Sequence, residues 1–142
     1  MALTRQIEMY PLESIQGGMA EFYTPQMSHE TMLVHVPSGT VDDLFVHHFQ
    51  TDQLLVVRGC FVLVVLQNRA YRYVPLSAEV PMVVRIPPGV PHGAINPTPE
   101  SCVLVNAVLR HGPHADRDYR PLRRPYPYDM TAVYSALQTC AV

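Results

Sequence analysis

Arg85-Ile86-Pro87-Pro88-Gly89-Val90-Pro91-His92-Gly93-Ala94-Ile95-Asn96 is the stretch on which the reading of this chain turns. An apolar, β-branched run meets a turn of three prolines and a glycine, and a histidine follows directly. Proline fixes φ and glycine supplies the reversal, so the turn holds the position of His92 in advance. Upstream lies a second stretch of the same design, His47-His48-Phe49-Gln50-Thr51-Asp52-Gln53-Leu54-Leu55-Val56-Val57-Arg58-Gly59. Both join a β-rich apolar run to a histidine beside a turn. Folded as a small barrel, they bring His48 and His92 together inside it.

The rest of the chain agrees with a barrel. Fourteen prolines cut the 142 residues into short runs, which argues against long helices. Strand-like segments rich in Val, Leu, Tyr and Phe span 5–11, 19–24, 31–36, 44–50, 53–58, 60–67, 70–75, 82–86, 93–96 and 102–109. Turns are expected at Gly17-Gly18, Pro37-Ser38-Gly39 and Gln67-Asn68-Arg69. Gly59 divides two apolar runs, where positive φ lets the chain turn or bulge. Asp129 is positioned to cap a short helix over 129–137. The expected fold is all-β, a jelly-roll barrel with a short C-terminal helix. It forms one domain over 1–142, with the barrel core at about 19–110 and a tail at 111–142.

Composition narrows the function classes. Formal net charge is -2, which gives no electrostatic reason to expect nucleic acid or an anionic membrane as partner. No segment reaches membrane-spanning length, and no basic region followed by an apolar stretch marks export. Three cysteines (Cys60, Cys102, Cys140) without paired spacing suit a reduced, cytoplasmic setting, with Cys60 and Cys102 as small core residues. All ten basic residues are arginine, and five of them (Arg110, Arg117, Arg120, Arg123, Arg124) cluster near the C-terminus as a solvated, Asp-interleaved face.

The two stretches resemble the motifs of the cupin superfamily. Pro87, Gly89, His92 and Asn96 fill its second motif. In its first motif His48 fits the second histidine and Gly59 the glycine, while Asp52 takes the glutamate's place and Val46 the first histidine's. His48-Phe49-Gln50, Val56-Val57-Arg58-Gly59, Leu76-Ser77-Ala78-Glu79 and Ile86 to Gly93 resemble more narrowly the dTDP-4-dehydrorhamnose 3,5-epimerases. That resemblance implies an epimerase- or isomerase-type proton transfer, with His48 removing a proton α to a ketone. It also implies an incomplete site. The family's tyrosine acid falls at Val105 and an arginine at Phe45, and no counterpart of its C-terminal aspartate partner is evident. A homodimer is a further expectation from the resemblance.

Counting in twos along the first stretch turns His48 and Val46 inward and His47 outward. The candidate catalytic residues are His48 and His92. Gln50, Arg58, Tyr71, Tyr73 and Asn96 are the candidates for binding a polar small molecule. His48, Asp52 and His92 form the candidate ligand set for one divalent metal ion (iron, nickel, zinc or manganese), as in a metal-dependent dioxygenase, with His47 a weaker fourth member. The third alternative is a barrel that binds a ligand or assembles without chemistry.

Overall fold

A computed structural model describes residues 6–14, 21–22, 27–112 and 118–139. The Gly17-Gly18 turn, most of the 19–24 strand, His114, Arg117 and Cys140 lie outside the described residues. Among the described residues, twelve strands and one helix follow in order: β1 (Glu8–Pro11), β2 (Glu13–Ser14), β3 (Glu21–Phe22), β4 (Glu30–Val36), β5 (Leu44–Val46), β6 (Gln50–Arg58), β7 (Cys60–Gln67), β8 (Ala70–Ser77), β9 (Met82–Ile86), β10 (His92–Ile95), β11 (Cys102–Arg110), β12 (Arg120–Leu122) and α1 (Met130–Gln138).

Two five-stranded antiparallel sheets form the barrel, ordered β1-β9-β6-β11-β4 and β12-β5-β10-β7-β8. Consecutive strands change sheet twice at places that matter here. Between β6 and β7 the change is made at Gly59, whose φ is +79° and whose absent Cβ would lie 3.0 Å from the Ser101 carbonyl oxygen. Only glycine meets both demands. Between β5 and β6 the change occupies residues 47–49, around the histidine pair.

The inner faces supply one apolar cluster, with Leu54, Phe61, Leu63, Val84, Ile86 and Leu104 among its members. A second cluster lies outside the other sheet. There Val62 and Val64 of β7 are covered by Val133 of α1 and by Tyr128. This explains why β7 is apolar on both faces: one looks into the barrel and the other lies under the C-terminal helix. Asp129 caps that helix, its carboxylate accepting from the Ala132 N–H at 3.1 Å. The β7–β8 hairpin turns through Asn68 and Arg69, both at positive φ, which matches the right-handed strand twist.

The sheets run beyond the expected 19–110 core. β1 pairs with β9, and β12 pairs with β5, so both flanks of the chain are built into the barrel. Arg120-Pro121-Leu122 carries no strand signal of its own and joins by backbone pairing alone.

Candidate active site

The interior holds a cavity of about 790 Å³. At its polar end β6 and β10, one from each sheet, bring Asp52 and His92 together, with His92 Nε2 3.0 Å from Asp52 Oδ2. His47, just past the end of β5, brings its Nε2 to 3.4 Å from the same oxygen. All three side chains are buried.

The histidine that enters is therefore His47, and the expectation for His48 is corrected. Period-two counting holds only along an unbroken strand, and the chain changes sheet between His47 and Gln50. Within the β5 segment the inward set is Phe45 and His47; within β6 it is Gln50, Asp52 and Leu54. His48 is exposed and lines a separate cavity of about 580 Å³ with Thr51, Arg85 and His111. As a catalytic or metal-ligating candidate it stands outside the barrel.

Asp118 holds the break in place. Its carboxylate accepts from the backbone N–H groups of His48 (2.7 Å) and Phe49 (3.2 Å). Its backbone carbonyl lies 3.1 Å from His47 Nδ1. The C-terminal segment thus returns an aspartate to the histidines, a feature the sequence did not reveal because residue 118 is 70 positions away from them.

Backbone carbonyls fix the tautomers. A carbonyl only accepts, so His47 Nδ1 donates to Asp118 O, and His92 Nδ1 donates to Val90 O at 2.9 Å. Both Nε2 atoms face Asp52, and with Nδ1 already carrying a proton each donates to it only as the doubly protonated imidazolium. The other Asp52 oxygen, Oδ1, accepts from Gln50 Nε2 at 2.6 Å and from Asn106 Nδ2 at 3.0 Å. Asn106 is itself oriented by the Gln53 N–H, which donates to its Oδ1 at 3.0 Å. Gln50 is oriented by Arg110, which donates to its Oε1 at 2.6 Å.

Burial alone would raise the Asp52 carboxyl, but hydrogen bonds from His47 and His92, together with their charge, hold it well below the usual carboxylate range. Burial disfavours the charged form of His47. The hydrogen bond and charge of Asp52, aided by the Asp118 carbonyl, outweigh it and raise the pKa. The His47 Nε2–Asp52 Oδ2 contact, at 3.4 Å, is longer than the His92 contact at 3.0 Å, and the His47 side chain lines the cavity.

Aromatic rings mark the mouth. Phe45 packs edge-on against His92 (4.4 Å between centroids) and stacks on the exposed Tyr119 (4.7 Å, 25° between planes). Asp42 also lines the cavity, its pKa raised by burial and by neighbouring Asp43.

Of the expected ligand-binding residues, the structure brings Gln50 alone into the cavity. Arg58 is exposed at the far end of β6, where the chain leaves the sheet at Gly59. Tyr71 and Tyr73 lie on the outer face of β8, because the C-terminal segment packs there. The Tyr71 hydroxyl donates to the Tyr126 carbonyl (2.7 Å), and the Tyr73 hydroxyl accepts from the Asp129 N–H (2.7 Å). Asn96 is wholly buried and spent on its own turn, donating to Val36 O and Glu100 O and accepting from Thr98. Asn106, Arg110, Asp118 and Tyr119 were missed. The alternation Leu104, Asn106, Val108, Arg110 along β11 is the signal that could have found the first two.

No protein-family model matches the sequence, and no curated protein matches it. Solved structures do. A dTDP-sugar isomerase from Desulfovibrio desulfuricans G20 superposes with a TM-score of 0.67 at 18% identity, covering 92% of this chain and 89% of that one. NovW, a 4-keto-6-deoxy sugar epimerase of the novobiocin cluster of Streptomyces spheroides, gives 0.66 at 14%, covering 86% and 71%. The sugar 3,4-ketoisomerase QdtA of Thermoanaerobacterium thermosaccharolyticum, solved with TDP, gives 0.65 at 12%, covering 94% and 96%. The fold of this chain is the cupin jelly roll of the dTDP-sugar epimerases and isomerases. Among the described residues, no helix is long and apolar enough to cross a membrane.

Proposed function

We propose that this protein is an isomerase- or epimerase-type enzyme that moves a proton on a carbon next to a carbonyl, with His47 as the base. The supporting observation is the arrangement of His47 Nε2, 3.4 Å from an Asp52 carboxylate that His92 grips at 3.0 Å. Neutral His47 keeps its proton on Nδ1 and carries its lone pair on Nε2, beside Asp52 at the polar end of the cavity. It takes the α-proton, and the C–H bonding electrons pass into an enolate. The imidazolium so formed is stabilised by Asp52, which His92, Gln50 and Asn106 hold rigid. The proton then returns from His47, or from a donor on the opposite face, to the α-carbon. Among the described residues lining the cavity, Tyr119 is the one that carries a phenol, its ring 5.9 Å from that of His47.

The three fold neighbours named above are described as sugar isomerases or epimerases, which supports the reaction class for this chain. The test is incubation with a panel of ketones in D₂O, read by mass spectrometry. Deuterium entering α to the carbonyl supports the reading; no exchange in any ketone refutes it.

A second reading rests on the same three residues. Their ligand atoms lie within 4.8 Å of one another, and both Nε2 atoms are directed at Asp52 Oδ2. With both Nδ1 protons held by carbonyls, the set fits a two-histidine, one-carboxylate site for iron, nickel, zinc or manganese, with His47 in place of His48. A divalent ion held by His47, Asp52 and His92 would supply Lewis-acid polarisation of a bound carbonyl. Plasma mass spectrometry of the protein and of His92→Ala tests it: near-equimolar metal lost in the variant supports this reading, and metal-free protein refutes it.

A further inference from the structure

We infer that the substrate is an uncharged ketone with an apolar body, rather than a ketone carried on a nucleoside diphosphate. This rests on the proton-transfer reading above and names the ligand of that site.

Leu54, Phe61, Leu63 and Leu104 form an apolar wall that offers a bound molecule no hydrogen bond. Thr40, which also lines the cavity, donates its hydroxyl to the Pro37 carbonyl, and the exposed His35 is the remaining polar side chain on that side. Charge in the cavity runs against a diphosphate. Three carboxylates line it; Asp52 is paired with His47 and His92 and Asp118 with the His48 and Phe49 N–H groups, which leaves Asp42, at the mouth, to face an incoming anion. Among the described residues, Arg110 is the one arginine that lines it, and its guanidinium is already engaged. Nε and Nη2 grip the two oxygens of Glu30 at 3.2 and 2.8 Å, and Nη1 donates to Gln50. Such a two-pronged pair is the same interaction a phosphate would need, so a phosphate would have to displace Glu30. It would also unfasten Gln50, and with it the positioning of Asp52.

The mouth points the same way. Phe45 stacked on Tyr119 offers aromatic faces to a ring or chain, and Asp42 repels an anion at that entrance. A body of drug-like size fits about 790 Å³.

The test uses the full-length protein with three probes: TDP, TDP-4-keto-6-deoxyglucose and enantiopure 2-phenylcyclohexanone. Binding is read by ligand-observed NMR, and turnover by deuterium incorporation and loss of optical purity in D₂O. The expected result is binding of 2-phenylcyclohexanone without binding of TDP, and exchange into the neutral ketone at least about tenfold above the His47→Gln variant, short of the full gain of a well-matched acid–base site. Exchange confined to the nucleotide sugar, binding of TDP, or binding of neither probe overturns the inference. Binding of the neutral ketone alone, with no exchange in any probe, upholds the ligand class of the cavity and overturns the proton-transfer reading.

Discussion

Asp52 Oδ2 and His92 Nε2 meet at 3.0 Å across the barrel, joining β6 of one sheet to β10 of the other. The contact is buried, and the carboxylate's remaining acceptor sites are filled by Gln50 and Asn106. The polar end of the cavity is thus one connected network, in which removing any member strands its partners.

Asp52→Ala leaves His47, His92, Gln50 and Asn106 facing an empty buried space. Breaking a buried charge pair from one side typically costs about 3–5 kcal/mol. Urea denaturation of the variant is expected to show a loss in that range. A loss under about 1 kcal/mol would indicate that water enters and satisfies the donors.

The pH dependence has a defined sign. The folded-state pKa of His47 is raised, so its stabilising contribution is full below the ordinary value of about 6.5 and is lost as pH rises through the folded value. That of Asp52 is lowered, so its contribution is present above about 3.9 and is lost only as pH falls well below that. As a base, His47 acts when neutral. Between pH 6 and 8 proton exchange should therefore rise while the thermal midpoint falls, and His47→Gln should remove the fall. A midpoint that climbs over that interval contradicts the assignment.

Gly59 and Gly39 separate two effects of a side chain. Both have φ near +80°, but a Cβ at Gly59 meets Ser101 O at 3.0 Å, whereas one at Gly39 meets nothing within 4 Å. Gly39→Ala should cost about 1 kcal/mol, the strain of the left-handed region alone. Gly59→Ala should cost clearly more, since the Ser101–Cys102 backbone must move. Equal midpoints in chemical denaturation would refute the difference.

Tyr73→Phe removes the acceptor for the Asp129 N–H and loosens the start of α1. About 1 kcal/mol of stability should go with it, with ligand affinity unchanged. A change in affinity at constant stability would return Tyr73 to the binding site.

Much of the barrel was legible. The bounds of β7 and β9 coincide with apolar runs cut off by Gly59, Asn68, Pro81 and Pro87, and Asp129 capped the helix as its position before an apolar run implied. β12 was illegible because a polar edge strand containing proline has no periodicity to read. His92 and Asp52 lie in the cavity, where rigid turn chemistry and the motif pointed. The choice between His47 and His48 failed for one reason: it depends on how the chain crosses between sheets. That crossing is fixed by Asp118, from a segment whose sequence gives no sign of where it returns.

The decisive measurement is solvent deuterium incorporation into a turned-over ketone by the parent protein, His47→Gln and His48→Gln. Loss of exchange by about 10²–10⁴-fold in His47→Gln, with His48→Gln within about twofold of the parent, is the expected result. The reverse pattern would return the base to His48 and contradict the site as built here.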